Sequence, residues 1–215
     1  YYILLILGGL QGFLGWFMVK SGLIDIPRVS HFRLAIHLIA ALSLSSYILW
    51  IILSTKSKRK HDKTINKAAK IFLSLITIQI IYGAFTAGMK AGYLQDPSSV
   101  INTIFGYFNT KNFENLDILN NPFNIQLFHR YFAWIILIYS IYLWMITKKT
   151  PLKKGGIIII STTISQIILG VLTLITKINI PLAIAHQLTA AVMLLSTIYL
   201  IYKSSGPNPS IEKKK

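Results

Sequence analysis

Three histidines lie where an ionisable side chain is least expected. His37, His129 and His186 each sit a short way inside a long apolar run, and an imidazole placed in hydrocarbon without a partner is costly, which makes it a functional-site hypothesis by default. The chain has no cysteine. Disulfides, thiolate metal sites and cysteine nucleophiles are therefore excluded, and His, Asp and Glu are left to carry any cofactor chemistry. A lone histidine in a membrane helix can simply bond a neighbouring helix, but three at similar depth point to a common purpose. Each is followed one turn later by alanine, at Ala41, Ala133 and Ala190, and a small residue at i+4 clears room beside the imidazole for a flat ligand. Two neutral imidazoles facing each other across a bundle would make a bis-histidine haem site. Zinc fits less well, because no acidic residue lies near these positions in sequence to complete a compact site.

Charge near this layer is sparse. Arg130 directly follows His129, and Arg28, Arg33 and Lys90 fall at the same level, where haem propionates could be met by charge-assisted hydrogen bonds. Snorkelling to lipid headgroups is the competing reading, strongest for Lys90 and Arg28. His31 lies six residues before His37, about 240° around a helix, so it cannot share that face and reads as an interfacial residue. His61, in a basic run, reads as a solvated side chain.

These side chains need helices to carry them. The 215 residues are 53% hydrophobic and 13% charged with mean hydropathy +0.58, too apolar for a soluble domain of this size. The net charge of +16 falls in short runs between apolar segments and forms no nucleic-acid groove, so it reads as an orientation signal. Six stretches are long enough to cross the hydrocarbon core: 1–19, 34–54, 70–89, 125–147, 156–176 and 182–202. The expected fold is all-α, a polytopic bundle of six transmembrane helices. Basic residues concentrate after the second, fourth and sixth spans, which puts both termini on the cytoplasmic (or mitochondrial matrix) side. On that layout the three histidines lie roughly 6 to 10 Å below the outer helix ends. The loop from about 90 to 124 is long for a helical connection and suggests a lid or partner surface.

A repeat runs through the odd-numbered spans. Gln11 and Gly15, Gln79 and Gly83, and Gln166 and Gly170 all read Gln-x-x-x-Gly, with both residues on one helix face. Helix packing alone is the simpler account of this motif. A longer match, QGFLGW then LAIHLIAA against QIILGV then LAIAHQLTAA, indicates duplication. The chain opens on Tyr1 inside an apolar run and reads as a fragment of two related bundles, the first cut short. The expected divisions are 1–55 for a helix pair of the first bundle, 56–69 for a basic inner loop, 70–203 for a four-helix half-bundle and 204–215 for a cytoplasmic tail.

The segments QGFLGWFMVKSGL, VSHFRLAIHLIAAL, YGAFTAGMKAGYLQD, IQLFHRYFAW and IPLAIAHQLTAA together resemble successive parts of heme A synthase, in its alphaproteobacterial and mitochondrial branch. The resemblance implies the third to eighth helices of an eight-helix enzyme built from two four-helix halves. It implies that His129 and His186 ligate the iron of a haem b cofactor, and that His37 is one of two histidines binding the iron of the substrate, haem O. The reaction implied is oxidation of the C8 methyl of haem O to a formyl group by successive hydroxylations. A family glutamate in a Glu-x-x-His-Arg pattern has no counterpart here, so no catalytic residue is assigned and the fragment is expected to be inactive alone. The family's Asn-Thr-aromatic-Pro-Leu-Met run is replaced by Asn102-Thr103-Ile104-Phe105-Gly106. Implied partners are haem O, the lipid bilayer, haem O synthase and the cytochrome oxidase assembly machinery, with room for a homo-oligomer and none for nucleic acid; the implied location is a bacterial or mitochondrial inner membrane. Two other readings compete: a bis-histidine b-type cytochrome subunit that only relays electrons, and a cofactor-free scaffold or transporter, which the near absence of charge within the spans disfavours.

Overall fold

Residues 2–22, 28–56, 59–94 and 117–207 are described by the computed structural model. They fold as six long helices: α1 (Tyr2–Val19), α2 (His31–Lys56), α3 (Lys63–Gly88), α4 (Pro122–Thr147), α5 (Lys153–Ile175) and α6 (Ile180–Ser204), with a short 3₁₀ turn at Ala91–Leu94. Each is long and apolar enough to cross a membrane, and the chain is a multi-pass all-helical membrane protein. Most of the helices start before the apolar spans expected from sequence, because polar caps sit outside the greasy core. Asp62 accepts from the Ile65 N–H to start α3, Asn121 accepts from Phe123 and Asn124 N–H ahead of Pro122 at α4, and Asn179 accepts from Leu182 N–H at α6. The Asn121-Pro122 pair, read as loop, is thus a helix start. Most of the 90–124 loop, including residues 102–106, lies outside the described residues.

Helices α3, α4, α5 and α6 form a ring in which each packs on its chain neighbour and α6 closes against α3, so α4 and α6 stand across from one another. Helix α2 lies on α3 and α6, and α1 lies on α2. Phe72, Ile76, Leu143, Ile159 and Leu200 are wholly buried in the ring, with Phe72 stacked on Tyr139 at 6.0 Å between centroids. Hydroxyls within this core are satisfied by their own helices. Thr147 donates to Leu143 O at 2.7 Å, Thr163 to Ile159 O at 2.8 Å, Thr197 to Met193 O at 2.8 Å and Ser204 to Leu200 O at 2.7 Å. Helix α1, by contrast, has no buried residue; Leu5 and Ile6 face outward, as membrane-facing side chains do.

The ring has a lysine end and a histidine end. At the lysine end the segment before α3 is sewn to the end of α6: Lys60 N–H donates to Lys203 O at 2.8 Å and Gly206 N–H to Lys60 O at 3.0 Å. His61 takes part, its Nδ1 donating to Gly206 O at 3.0 Å, so it is a structural clasp and not merely a solvated side chain. Asn66 adds bonds to Ile201 O at 2.9 Å and Ser204 Oγ at 3.1 Å. At the histidine end the α5–α6 turn places Lys177 and Ile178 at φ 53 and 63, a left-handed conformation costly for a β-branched residue. The turn is closed by the Ile178 N–H to Thr173 O bond of 2.7 Å.

Replacing Phe72 by alanine should destabilise the detergent-solubilised fold by about 3 kcal/mol, the usual scale for emptying a packed aromatic site, whereas Leu5→Ala should leave the unfolding midpoint nearly unchanged. A second expectation concerns the turn before α4, where Leu119 and Asn120 N–H groups donate to the Asp117 carboxylate and hold its pKa below the usual carboxylate range. A lowered folded pKa means the turn is fully supported above the ordinary value and is lost only as pH falls through the depressed one. Amide exchange at Leu119 and Asn120 followed against pH should show protection persisting into acid, and Asp117→Asn should remove that profile.

Candidate functional site

Each odd-numbered helix serves the histidine of the helix that follows it. A Cβ added to Gly83 of α3 would lie 3.2 Å from Cε1 of His129 on α4, one on Gly170 of α5 would lie 3.3 Å from Cε1 of His186 on α6, and one on Gly15 of α1 would lie 3.2 Å from Cε1 of His37 on α2. Glycine is needed because the Cε1–Nδ1 edge of the ring occupies the volume a side chain would fill. Four residues earlier, the glutamine of the same motif bonds the histidine's own backbone. Gln79 Nε2 donates to His129 O at 2.9 Å, Gln11 Nε2 to His37 O at 3.1 Å, and Gln166 Nε2 donates likewise to His186 O. The Gln-x-x-x-Gly motif does mediate helix packing, and its packing partner in all three copies is the histidine.

His129 and His186 are carried by the two helices that stand across the ring. In both, Nδ1 is sealed and has no hydrogen-bond partner, which leaves Nε2 as the nitrogen through which either ring would meet a ligand. The two rings are half-buried and presented from opposite walls of an apolar bundle. Such a pair can offer two axial nitrogens to a planar metal-bearing cofactor. The sealed, unpartnered Nδ1 atoms and the space cleared at Gly83 and Gly170 fit a ring held for ligation better than one held by hydrogen bonds.

His37 belongs to a separate place. It lies on α2 against α1, outside the ring, and among the described residues no three His, Asp or Glu side chains converge as a metal-binding group. Three histidines in one depth layer therefore resolve into a pair and a single. The single also differs in its bonding: Gln11 Nε2 lies 3.1 Å from its Nδ1 and 3.4 Å from its Nε2, as well as 3.1 Å from its carbonyl oxygen.

The basic residues at this level divide unevenly. Arg130 is half-buried beside His129. Arg33 is committed to α1, its Nη1 donating to Phe17 O at 2.9 Å while the guanidinium lies 3.8 Å from the Phe17 ring centroid, and that bond opposes a free anion-binding role. Arg28 lines an outer depression of about 250 Å³ together with Ser21, His31 and Met89. Lys90 holds the left-handed turn that follows α3, with φ 53. His31 opens α2 and donates from Nε2 to Leu119 O at 3.0 Å, edge-on to Phe85, which agrees with an interfacial position off the His37 face. Sequence reading passed over Gln126, one turn before His129 and only 1% exposed; its signal was a polar residue at i−3 on the face of a functional histidine.

The chain is similar to known proteins over most of its length. A family model described as cytochrome oxidase assembly protein matches residues 1–198. Among relatives, the heme A synthase of Pelagibacter ubique (strain HTCC1062) is 37% identical over 211 residues, covering 96% of this chain and 62% of the relative. That of Ehrlichia ruminantium (strain Gardel) is 37% identical over 198 residues, covering 89% and 56%, and that of Wolbachia pipientis wMel is 38% identical over 211 residues, covering 93% and 58%. The chain thus spans about three-fifths of the length of the curated relatives it matches.

The glycine contacts predict a graded response. At Gly83 an alanine methyl demands a shift of a few tenths of an ångström from His129, while valine leaves no room for the ring. Chemical modification of His129 by diethyl pyrocarbonate, read by mass spectrometry, should change little in Gly83→Ala and rise clearly in Gly83→Val as the imidazole is expelled. Gln79→Leu, which removes a single bond worth about 1 kcal/mol, should lower the unfolding midpoint slightly and leave the labelling pattern intact.

Proposed function

The chain belongs to the cytochrome oxidase assembly protein family, and from that premise we propose that it works in haem A biosynthesis, oxidising the C8 methyl of haem O to a formyl group. The observation that carries this reading is the pair of histidines on helices that stand across the α3–α6 ring, each laid on a glycine of the preceding helix. His129 and His186 are the residues that would hold haem b through their Nε2 atoms. Bound there, haem b supplies one-electron redox capacity to the enzyme.

The chain's own groups do the rest by placement. Gln79 and Gln166 fix the backbone at each histidine, so that ring position follows from helix position. The apolar walls keep water from the iron and raise the worth of any charge left inside. Arg130 stands beside His129 as the cation for a propionate. His37 is proposed for the substrate side, toward the iron of haem O. The Gln11 amide lies against both ring nitrogens of His37, so ligation there would require that contact to give way. The lysine-rich end is proposed to face the cytoplasm or matrix of an inner membrane, with haem O synthase and the oxidase assembly machinery as partners. An electron-relay cytochrome subunit explains the pair but leaves the third glycine-backed histidine without a role, and the relatives named above are heme A synthases.

The test is spectroscopic and chemical. Protein purified from haem-supplemented bacterial membranes should show a low-spin b-type difference spectrum that His129→Ala and His186→Ala each abolish and His37→Ala preserves. A colourless wild-type preparation, or a spectrum indifferent to both ring histidines, overturns the assignment.

A further inference from the structure

Among the described residues of the ring, the buried hydroxyls are all bonded, single atoms of Gln79, His129 and His186 have no hydrogen-bond partner, and Gln126 has none at either end of its amide. The hydroxyls of Ser140, Thr147, Thr163, Thr197 and Ser204 all bond a carbonyl of their own helix, and Asn124 donates to Asp117 O at 3.4 Å. Gln126 is 1% exposed, yet both its Nε2 and its Oε1 are sealed without a hydrogen-bond partner. An amide desolvated in this way costs about 1 to 3 kcal/mol for each group left unmet, and a helix interior has no reason to carry it when leucine would fill the same space. The amide needs an occupant that supplies what the protein does not.

Its position says what kind. Gln126 precedes His129 by three residues and Arg130 by four, so all three share one face of α4, within about 60° of each other for the first pair and about 40° for the second. Side chains on a helix lean toward its N-terminus, so the Gln126 amide lies one turn nearer the histidine end than the imidazole. The Ala91–Leu94 turn packs on α3 and α4 at that end, with Ala91 fully buried and Leu94 exposed. A group reached by the amide, the guanidinium of Arg130 and the ring of His129 together must combine a metal centre with an anionic oxygen held a few ångströms away. Carboxylate matches on both counts: it accepts the amide N–H, and the neighbouring cation neutralises it.

Resting on the haem reading above, we propose that Gln126 is the buried hydrogen-bond donor for a propionate carboxylate of the haem held between His129 and His186. Gln126 is then a binding residue whose apparent lack of partners is the imprint of the ligand. The amide has a second consequence. Its cost falls on the haem-free chain and is relieved on loading, so occupancy stabilises this end of the bundle by more than the iron bonds alone.

Haemin titration of the haem-free protein in detergent, read at the Soret band, tests this with haemin dimethyl ester as the second probe. Gln126→Leu should weaken haemin binding about tenfold while leaving the haem-free unfolding midpoint equal to or above that of the wild type. Esterification should weaken binding to the wild type by at least a similar factor and by clearly less in the variant, where only the Arg130 contact is left to lose. Gln126→Glu, which sets two carboxylates together, should lose still more haemin affinity and recover with the ester. Wild-type affinity for haemin in Gln126→Leu, or an equal loss for haemin and ester, overturns the proposal. If the wild type shows no binding that depends on His129 and His186, the haem reading itself fails, a result distinct from either of those.

Discussion

Everything at the histidine end depends on one close approach, the edge of an imidazole laid against a glycine of the neighbouring helix. The contact appears three times, between α1 and α2, α3 and α4, and α5 and α6, with separations that differ by about a tenth of an ångström. In lipid, helices gain no hydrophobic energy by associating, so small residues that allow intimate contact decide which faces meet. Here the small residue is spent on a polar ring. A glutamine one turn away then ties the backbone of the same histidine, and the two contacts fix both the depth and the direction of the ring. The remaining core at the lysine end is ordinary by comparison, aliphatic and aromatic, with hydroxyls turned back on their own helices.

How much of this could be read from the amino-acid string depends on whether a feature is local. The helices were legible because length and hydropathy are local properties, while their caps at Asp62, Asn121 and Asn179 emerged only with the structure, Asn121 lying within the expected 90–124 loop. The histidines were legible because an ionisable residue in an apolar run is conspicuous. The Gln-x-x-x-Gly motif was also visible, but its partner was not: nothing in a sequence aligns Gly83 with His129, 46 positions away, until two helices are set antiparallel in a definite register. Arg33 failed as a candidate anion site for the same reason, since its commitment to Phe17 is a contact between helices. The clasp that His61 makes with Gly206 was hidden for a similar reason, since it joins segments far apart in the chain, although the side chain is exposed as expected. Gln126 was hidden by chemistry: among apolar neighbours it resembles a stray polar residue, and only the absence of any bond to it in a closed bundle gives it meaning.

The two kinds of histidine also differ in what they are prepared to do. The rings of His129 and His186 present Nε2 with Nδ1 isolated in an apolar wall. That leaves the tautomer to be set by whatever binds. His37 instead has the Gln11 amide within hydrogen-bond distance of its ring. The same structural module thus leaves Nδ1 unpartnered in two rings and met by an amide in the third.

The hairpin logic of the contacts carries a consequence for how the protein is made. Each histidine is completed by the helix synthesised immediately before it, so a nascent chain leaving the insertion machinery finishes one half of the ring site when α4 pairs with α3 and the other when α6 pairs with α5. Neither half needs the other in order to take shape. Closure of α6 against α3 is then the contact that completes the ring, and it joins the first helix of the four to the last.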